Sequence, residues 1–167
     1  MLRLRPYRES DAETIVSWVA DERALRQWSA NLLGAFPPTS EGLNAYYRKE
    51  ANAALMPFTA FDENGVAGHF FLCLRDADMK IARVGLVIVD GEKRGRGYGK
   101  ELLALAKAYA FGLLKVERMT LGVFENNAQA RHCYRACGFR QMEGELRTCQ
   151  FENGELWNCF DMEALKA

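Results

Sequence analysis

The chain carries no net charge, since 22 Lys+Arg balance 22 Asp+Glu across 167 residues. A protein that holds nucleic acid chiefly by neutralising phosphates shows a basic excess, so the balance argues against that class. No window approaches the ~20 apolar residues of a membrane-spanning helix. The opening Met1-Leu2-Arg3-Leu4-Arg5 lacks the apolar stretch of a secretion signal. Five cysteines, an odd number, without such a signal predict free thiols in a reduced, cytoplasmic setting rather than a disulfide framework. Cys133 and Cys137 stand four apart beside His132, but no second ligand pair accompanies them, so no metal is expected. Internal repeats, low-complexity tracts and linkers are also missing. What remains, 49% apolar and 26% charged, suits one domain over residues 1–167 that buries roughly 70% of its unfolded surface.

What is present reads as an ordered series of elements. Leu2-Arg3-Leu4-Arg5 alternates as a strand and Pro6 ends it. Ser10 and Glu13 have capping-box spacing and open a helix with Ile15, Val16 and Val19 on its apolar side. Trp18 and Trp28 flank a second helix, Glu22 to Gln27. The loop Gly34 to Pro38 breaks the pattern, and Thr39 caps a third helix carrying Leu43, Tyr46 and Tyr47. Strands at Phe58 to Phe61 and Val66 to Leu74 are joined by Asp62-Glu63-Asn64-Gly65, a hairpin signal. A strand from about Ile81 to Val89 runs into a glycine-rich turn, a helix with Leu102, Leu103, Leu105, Ala106, Tyr109 and Ala110, and a strand at Met119 to Phe124. Asn127 then caps a helix that Gly138 closes. Two last strands, Phe139 to Phe151 and Glu155 to Ala164, hinge at Asn153-Gly154.

The turn Arg94-Gly95-Arg96-Gly97-Tyr98-Gly99-Lys100 carries the most chemistry. A glycine turn between a strand and a helix start presents free N–H groups at the positive end of the helix dipole, a site for phosphate or pyrophosphate. The spacing fits neither a dinucleotide-binding turn nor a P-loop. What remains is Arg-x-x-Gly-x-Gly, here Arg94, Gly97 and Gly99. It resembles the coenzyme A signature of the GNAT superfamily of N-acetyltransferases. Downstream, Asn127, Ala130 and Tyr134, closed by Cys137-Gly138-Phe139, look like the second GNAT signature. The element order matches over nearly the whole chain. Trp18-Val19-Ala20-Asp21 with Trp28, and Gly144-Glu145-Leu146 with Phe151-Glu152-Asn153-Gly154, resemble the branch acting on ribosomal-protein N-termini and on polyamines such as spermidine.

The resemblance implies an α/β fold with a mixed, mostly antiparallel sheet, one parallel splayed strand pair, and helices on both faces. It implies acetyl-CoA as co-substrate and a primary amine as acceptor, either a small molecule or a peptide N-terminus. Backbone N–H groups from Gly95 through Arg96, Gly97, Tyr98 and Gly99 to Lys100 would grip the pyrophosphate, with Arg94 adding charge. The main chain of Val87 and Val89 would pair with the pantetheine arm and polarise the thioester carbonyl. Asn127 would touch the cofactor, cap its helix, or do both. Tyr134 would be the general acid: a phenol of pKa ~10 can protonate a thiolate whose conjugate acid has a pKa of about 8.5 to 10. Arg131 and Arg135 could reach phosphate, with solvation as their plainer role.

The general base is open. At pH 7 a lysine-like amine is neutral only about once in a few thousand molecules. Where some relatives place a glutamate, this chain has Gly122. A water relay remains, or an acid from the N-terminal helices, or Asp76 or Asp78. Asp11, Glu13, Asp21, Glu22 and Glu41 lie where relatives line the acceptor cleft and could serve a polyamine site, with complementing the helix dipoles as their plainer role. His69, within an apolar strand, reads as core or rim. An acyl-CoA sensor without turnover is the alternative reading. A homodimer is compatible with it all, since many relatives pair through sheet edges or C-terminal strands.

Overall fold

The computed structural model describes residues 1–144 and 146–167; Glu145, in the middle of the Gly144-Glu145-Leu146 segment, lies outside the described residues. The strands are β1 (Arg3–Pro6), β2 (Met56–Asp62), β3 (Gly65–Leu74), β4 (Ile81–Val89), β5 (Arg118–Phe124), β6 (Arg140–Gln141), β7 (Arg147–Gln150) and β8 (Leu156–Leu165). The helices are α1 (Ala12–Ser17), α2 (Glu22–Ser29), α3 (Ser40–Arg48), α4 (Tyr98–Lys107) and α5 (Ala128–Ala136). One eight-stranded sheet runs in the order β1-β2-β3-β4-β5-β8-β6, with β7 also on β8. Among the described residues only β4 and β5 pair parallel, and the other pairs are antiparallel. The mixed sheet with one parallel pair, expected from the resemblance, is therefore present.

Alternation along the strands feeds two cores, one on each face. On one face Leu102, Leu103, Ala106 and Ala110 of α4 and its continuation pack on Val84, Met119, Leu121, Phe160 and Met162. Each fully buried leucine there contributes roughly 2 kcal/mol. Past Lys107 this helix widens into a π-helical turn, Ala108–Leu113. On the other face α1, α2 and α3 supply Ile15, Val16, Leu25, Leu43 and Tyr46 to a second core with Phe71, Leu86 and Ile88. A third cluster, Phe124, Phe151 and Trp157, joins the end of β5 to the β7–β8 hairpin. Arg23 and Arg26 of α2 lie over the Trp157 and Phe151 rings, at 5.3 and 4.8 Å from the centroids.

Local chemistry sets the ends of these elements. Thr39 Oγ1 accepts the Gly42 N–H at 2.9 Å, as expected for the α3 cap. Asn64 donates to Asp62 Oδ1 at 2.8 Å and Gly65 takes φ +116°, closing the β2–β3 hairpin. Gly138 takes φ +86° beyond α5, the left-handed stop read from the sequence. Two expectations need correction. No Ser10–Glu13 capping box forms, because Asp11 accepts the Arg8 N–H at 3.0 Å while also binding Arg5 and Thr59. α1 accordingly ends at Ser17, and Val19 lies past it though still buried. The single strand expected from Phe139 to Phe151 is two short ones, β6 and β7, each paired with β8.

Candidate active site

The site begins where two neighbouring strands part. β4 and β5 are in register only at Ile81–Arg118, Ala82–Met119 and Arg83–Thr120, although β4 continues to Val89 and β5 to Phe124. The cause lies in β4. Between the Gly85–Phe71 and Ile88–His69 pairs, Leu86 and Val87 together face the single residue Phe70, which makes a β-bulge. Leu86 sits at φ +49° although it is a buried leucine. That left-handed residue bends the strand and opens the sheet, at a cost of order 1 kcal/mol or more. From Val84 to Val89 the backbone therefore has a strand partner on one side only. Val87 and Val89, named from the sequence for their main chain, both line the opening. Their side chains pack into the α4 core.

The opening is a cleft of about 500 Å³. At one end lies the glycine turn. Gly95 and Gly97 take φ +75° and +86°, with nothing within 4 Å of a Cβ built on either. Gly97 is the N-cap of α4, and the first helical bond runs from Glu101 N–H back to its carbonyl at 3.0 Å. The N–H groups from Gly95 to Lys100 make no hydrogen bond to any described residue. Arg94 and Lys100 line the same end and form no ion pair among the described residues. Such a row of unpaired donors at a helix start, with two cations, suits a polyphosphate. Gly99 lets α5 come close, since a Cβ there would stand 3.2 Å from Cys133 Sγ.

Arg96 and Tyr98 belong to the turn but do not line the cleft. Tyr98 turns back and donates to Asp62 Oδ2 at 2.9 Å, beside Lys93 Nζ at 2.6 Å from the same oxygen. Lys93 is the main reason the Asp62 carboxyl is held down at about 2. This clamp ties the start of α4 to the β2–β3 hairpin.

The far wall comes from α5. Asn127 Oδ1 accepts the Ala130 N–H at 3.2 Å, so it caps the helix, and it also lines the cleft. Tyr134, one turn on from Ala130, lines it too. Its ring packs 6.2 Å from Phe139, and its hydroxyl bonds no described residue. Burial raises the phenol well above its ordinary pKa, with Cys133 and Cys137 adding to the effect. Tyr134 therefore keeps its proton at any working pH. Burial likewise pushes the Cys133 thiol up to about 11, so no thiolate competes there. Arg131 does not reach toward the cleft; it donates to the Glu125 carbonyl at 2.9 Å and lies over Phe160.

Further lining comes from Trp18 and Val19 just past α1, from Ala24, Gln27 and Trp28 of α2, from Gln129 and His132 of α5, and from Gly122 of β5. No carboxylate lines the cleft among the described residues. The acids weighed from the sequence are engaged elsewhere or lie outside it. Asp11 binds Arg5, Asp21 caps α2, and Glu22 and Glu41 bind Arg26 and Arg48. Glu13 lies outside the cleft, Asp76 accepts the Lys80 and Ile81 N–H groups, and Asp78 does not line it. His69 is core: fully buried, its Nε2 bonds Tyr47 Oη at 2.7 Å. Burial pushes its pKa down to about 4. Sequence reasoning missed the bulge at Leu86 and the cross-strand neighbours of Gly122. The isolated Gly85 within an apolar strand was the one signal that pointed to the bulge.

Comparison with known proteins agrees with this geometry. Residues 1–140 match the Acetyltransferase (GNAT) domain family. The spermidine N(1)-acetyltransferase of Escherichia coli K12 is 36% identical over 76 residues, covering 46% of this chain and 40% of that enzyme. The spermine/spermidine N(1)-acetyltransferase of Bacillus subtilis 168 is 38% identical over 73 residues, covering 42% of this chain and 47% of that enzyme. The chain thus spans less than half the length of either relative. The Vibrio cholerae spermidine N-acetyltransferase, solved in complex with CoA and spermine, superposes with TM-score 0.79 over 98% of this chain and 95% of that one. At 23% identity, that likeness is one of fold. The parted strands, the glycine turn and the Tyr134 helix all fall within the matched residues, and the chain belongs to the GNAT acetyltransferase family.

Proposed function

We propose that this protein transfers an acetyl group from acetyl-CoA to a primary amine in the cleft between β4 and β5. The observation that carries the reading is a coincidence in one cavity. Unpaired N–H groups of Gly95, Gly97, Gly99 and Lys100, a β4 edge without a partner, and a protonated, unbonded Tyr134 hydroxyl all face it. These residues fit coenzyme A. The N–H row with Arg94 and Lys100 would hold the pyrophosphate, and the β4 backbone near Val87 and Val89 would pair with the amide-rich arm.

Bound acetyl-CoA supplies an activated acyl carbonyl and a thiol leaving group. The open β4 backbone offers preorganised donors where negative charge develops on the carbonyl oxygen. Tyr134 Oη holds the proton that a departing thiolate needs, and general acid catalysis of this kind is worth about 10²–10⁴ in rate. With no carboxylate in the cleft, the amine loses its proton to water rather than to an acidic side chain. The names of the similar enzymes, which act on spermidine or spermine, support an amine as acceptor.

The test pairs calorimetric binding of acetyl-CoA with thiol release in the presence of polyamines, amino acids and N-terminal peptides. Binding with turnover of one amine class is expected. Binding without turnover of any amine would move the reading to a sensor of acyl-CoA.

A further inference from the structure

Two guanidiniums and one carboxylate stand behind Gly122, beside the acceptor half of the cleft, and Arg147 and Asp161 line a smaller pocket next to it. Gly122 lines the cleft on β5, and a Cβ built on it would stand 2.7 Å from Arg83 Nη2 and 3.4 Å from Arg147 Nη2. A side chain at position 122 would push these guanidiniums aside. Both guanidiniums converge on one oxygen, Asp161 Oδ1, at 3.2 and 2.7 Å. Asp161 reaches this point because β8 is registered against β5, with Asp161 opposite Gly122. Two guanidiniums share this one carboxylate, with Glu143 lining the same small pocket as Arg147 and Asp161. The Nε and Nη1 groups of both arginines make no hydrogen bond to a described residue, and the planar fork of a guanidinium fits a carboxylate with two parallel bonds. The cluster is partly open, with side-chain exposures of 24%, 54% and 30% for Arg83, Arg147 and Asp161.

The acids nearest the cleft mouth already have partners. Glu22 and Glu155 bind Arg26, and Glu125 accepts from Asn158. A polyammonium chain would meet guanidinium where it needs carboxylate, and like-charge apposition is penalised. The wall opposite is aromatic, from Trp18 and Trp28.

Resting on acyl transfer in this cleft, we propose that the acceptor is an amine that itself carries a carboxylate, held by Arg83 and Arg147, and not a polyamine. The experiment is steady-state acetyl transfer with matched pairs that differ only in the carboxylate, tyrosine against tyramine and lysine against cadaverine, with spermidine alongside. The acid of at least one pair should exceed its decarboxylated partner in kcat/KM by about tenfold or more, the scale of a charge-assisted hydrogen-bond pair. Arg83→Gln and, separately, Arg147→Gln should raise KM for the acid by about tenfold more than for its amine, so that the gap narrows. Spermidine or the decarboxylated amines turning over as well as the acids would overturn the proposal while leaving acetyl transfer intact. Equal losses for both members of a pair in the variants would show a merely structural role and would also overturn it. Failure of every amine despite acetyl-CoA binding would sink the acyl-transfer reading itself, and the proposal with it.

Discussion

Gly85 on β4 is held to glycine by a single ring. A Cβ there would lie 2.3, 2.6 and 2.9 Å from Cζ, Cε1 and Cε2 of Phe71. Carbon atoms in ordinary contact stand about 3.5–4.0 Å apart, so the ring would have to recede by more than about 1 Å. It has nowhere to go. Phe71 is buried, Tyr47 stands edge-on to it at 6.4 Å, and Gly85 is its direct cross-strand partner. Overpacking of this kind costs about 1–3 kcal/mol. For a chain of this size Gly85→Ala should therefore lower Tm by roughly 3–10 °C. Phe71→Ala alone should cost about 3–5 kcal/mol through the cavity it leaves. In that background the alanine at position 85 finds space, and its penalty should vanish. The double-mutant cycle, measured by urea unfolding, should give a coupling of about 1–3 kcal/mol. Costs that add to within about 0.5 kcal/mol would refute the claim that Phe71 dictates Gly85.

Other consequences follow from the same geometry. His69 has a folded pKa near 4, below its unfolded value, so its contribution is complete above about pH 6.5 and is lost as pH falls toward 4. Urea unfolding should show about 2–3 kcal/mol lost between pH 7 and 4.5, and less in His69→Gln. Arg94→Ala and Lys100→Ala should each raise Kd for coenzyme A roughly two- to fivefold, an effect that shrinks as salt is added. Because no carboxylate lines the cleft, kcat/KM should climb about tenfold per pH unit up to the pKa of the amine itself. An inflection below the pKa of the amine would instead reveal a base supplied by the enzyme.

Much of the site was legible because it rests on backbone conformations that few residues tolerate. Gly95, Gly97 and Gly138 sit at positive φ, and Asn127 caps its helix, so the demands of the turn and the cap were written in residue types. The order of strands and helices followed from periodicity. Beyond the hint of an isolated Gly85, the bulge left no mark, because Leu86 at φ +49° is a conformation held by its surroundings, with no trace in a leucine. Asp161 beneath Gly122 depends on a β5–β8 register set across some forty intervening residues, which no local pattern encodes. The α1 capping box was misread for a related reason: Asp11 is claimed by Arg5 and by Thr59, the latter 48 residues away. Tertiary partners overrode a local signal there.

The most direct test of the account is Tyr134→Phe, with acetyl-CoA affinity and turnover measured on the same preparation. The hydroxyl bonds no described residue and the ring keeps its packing, so stability and the Kd for acetyl-CoA should stay within about twofold, since removing an unbonded hydroxyl is worth only tenths of a kcal/mol. kcat should fall by about 10²-fold or more, the loss of a general acid. Undiminished turnover in the variant would contradict the central claim that this cleft is an acetyltransfer site with Tyr134 as its proton donor.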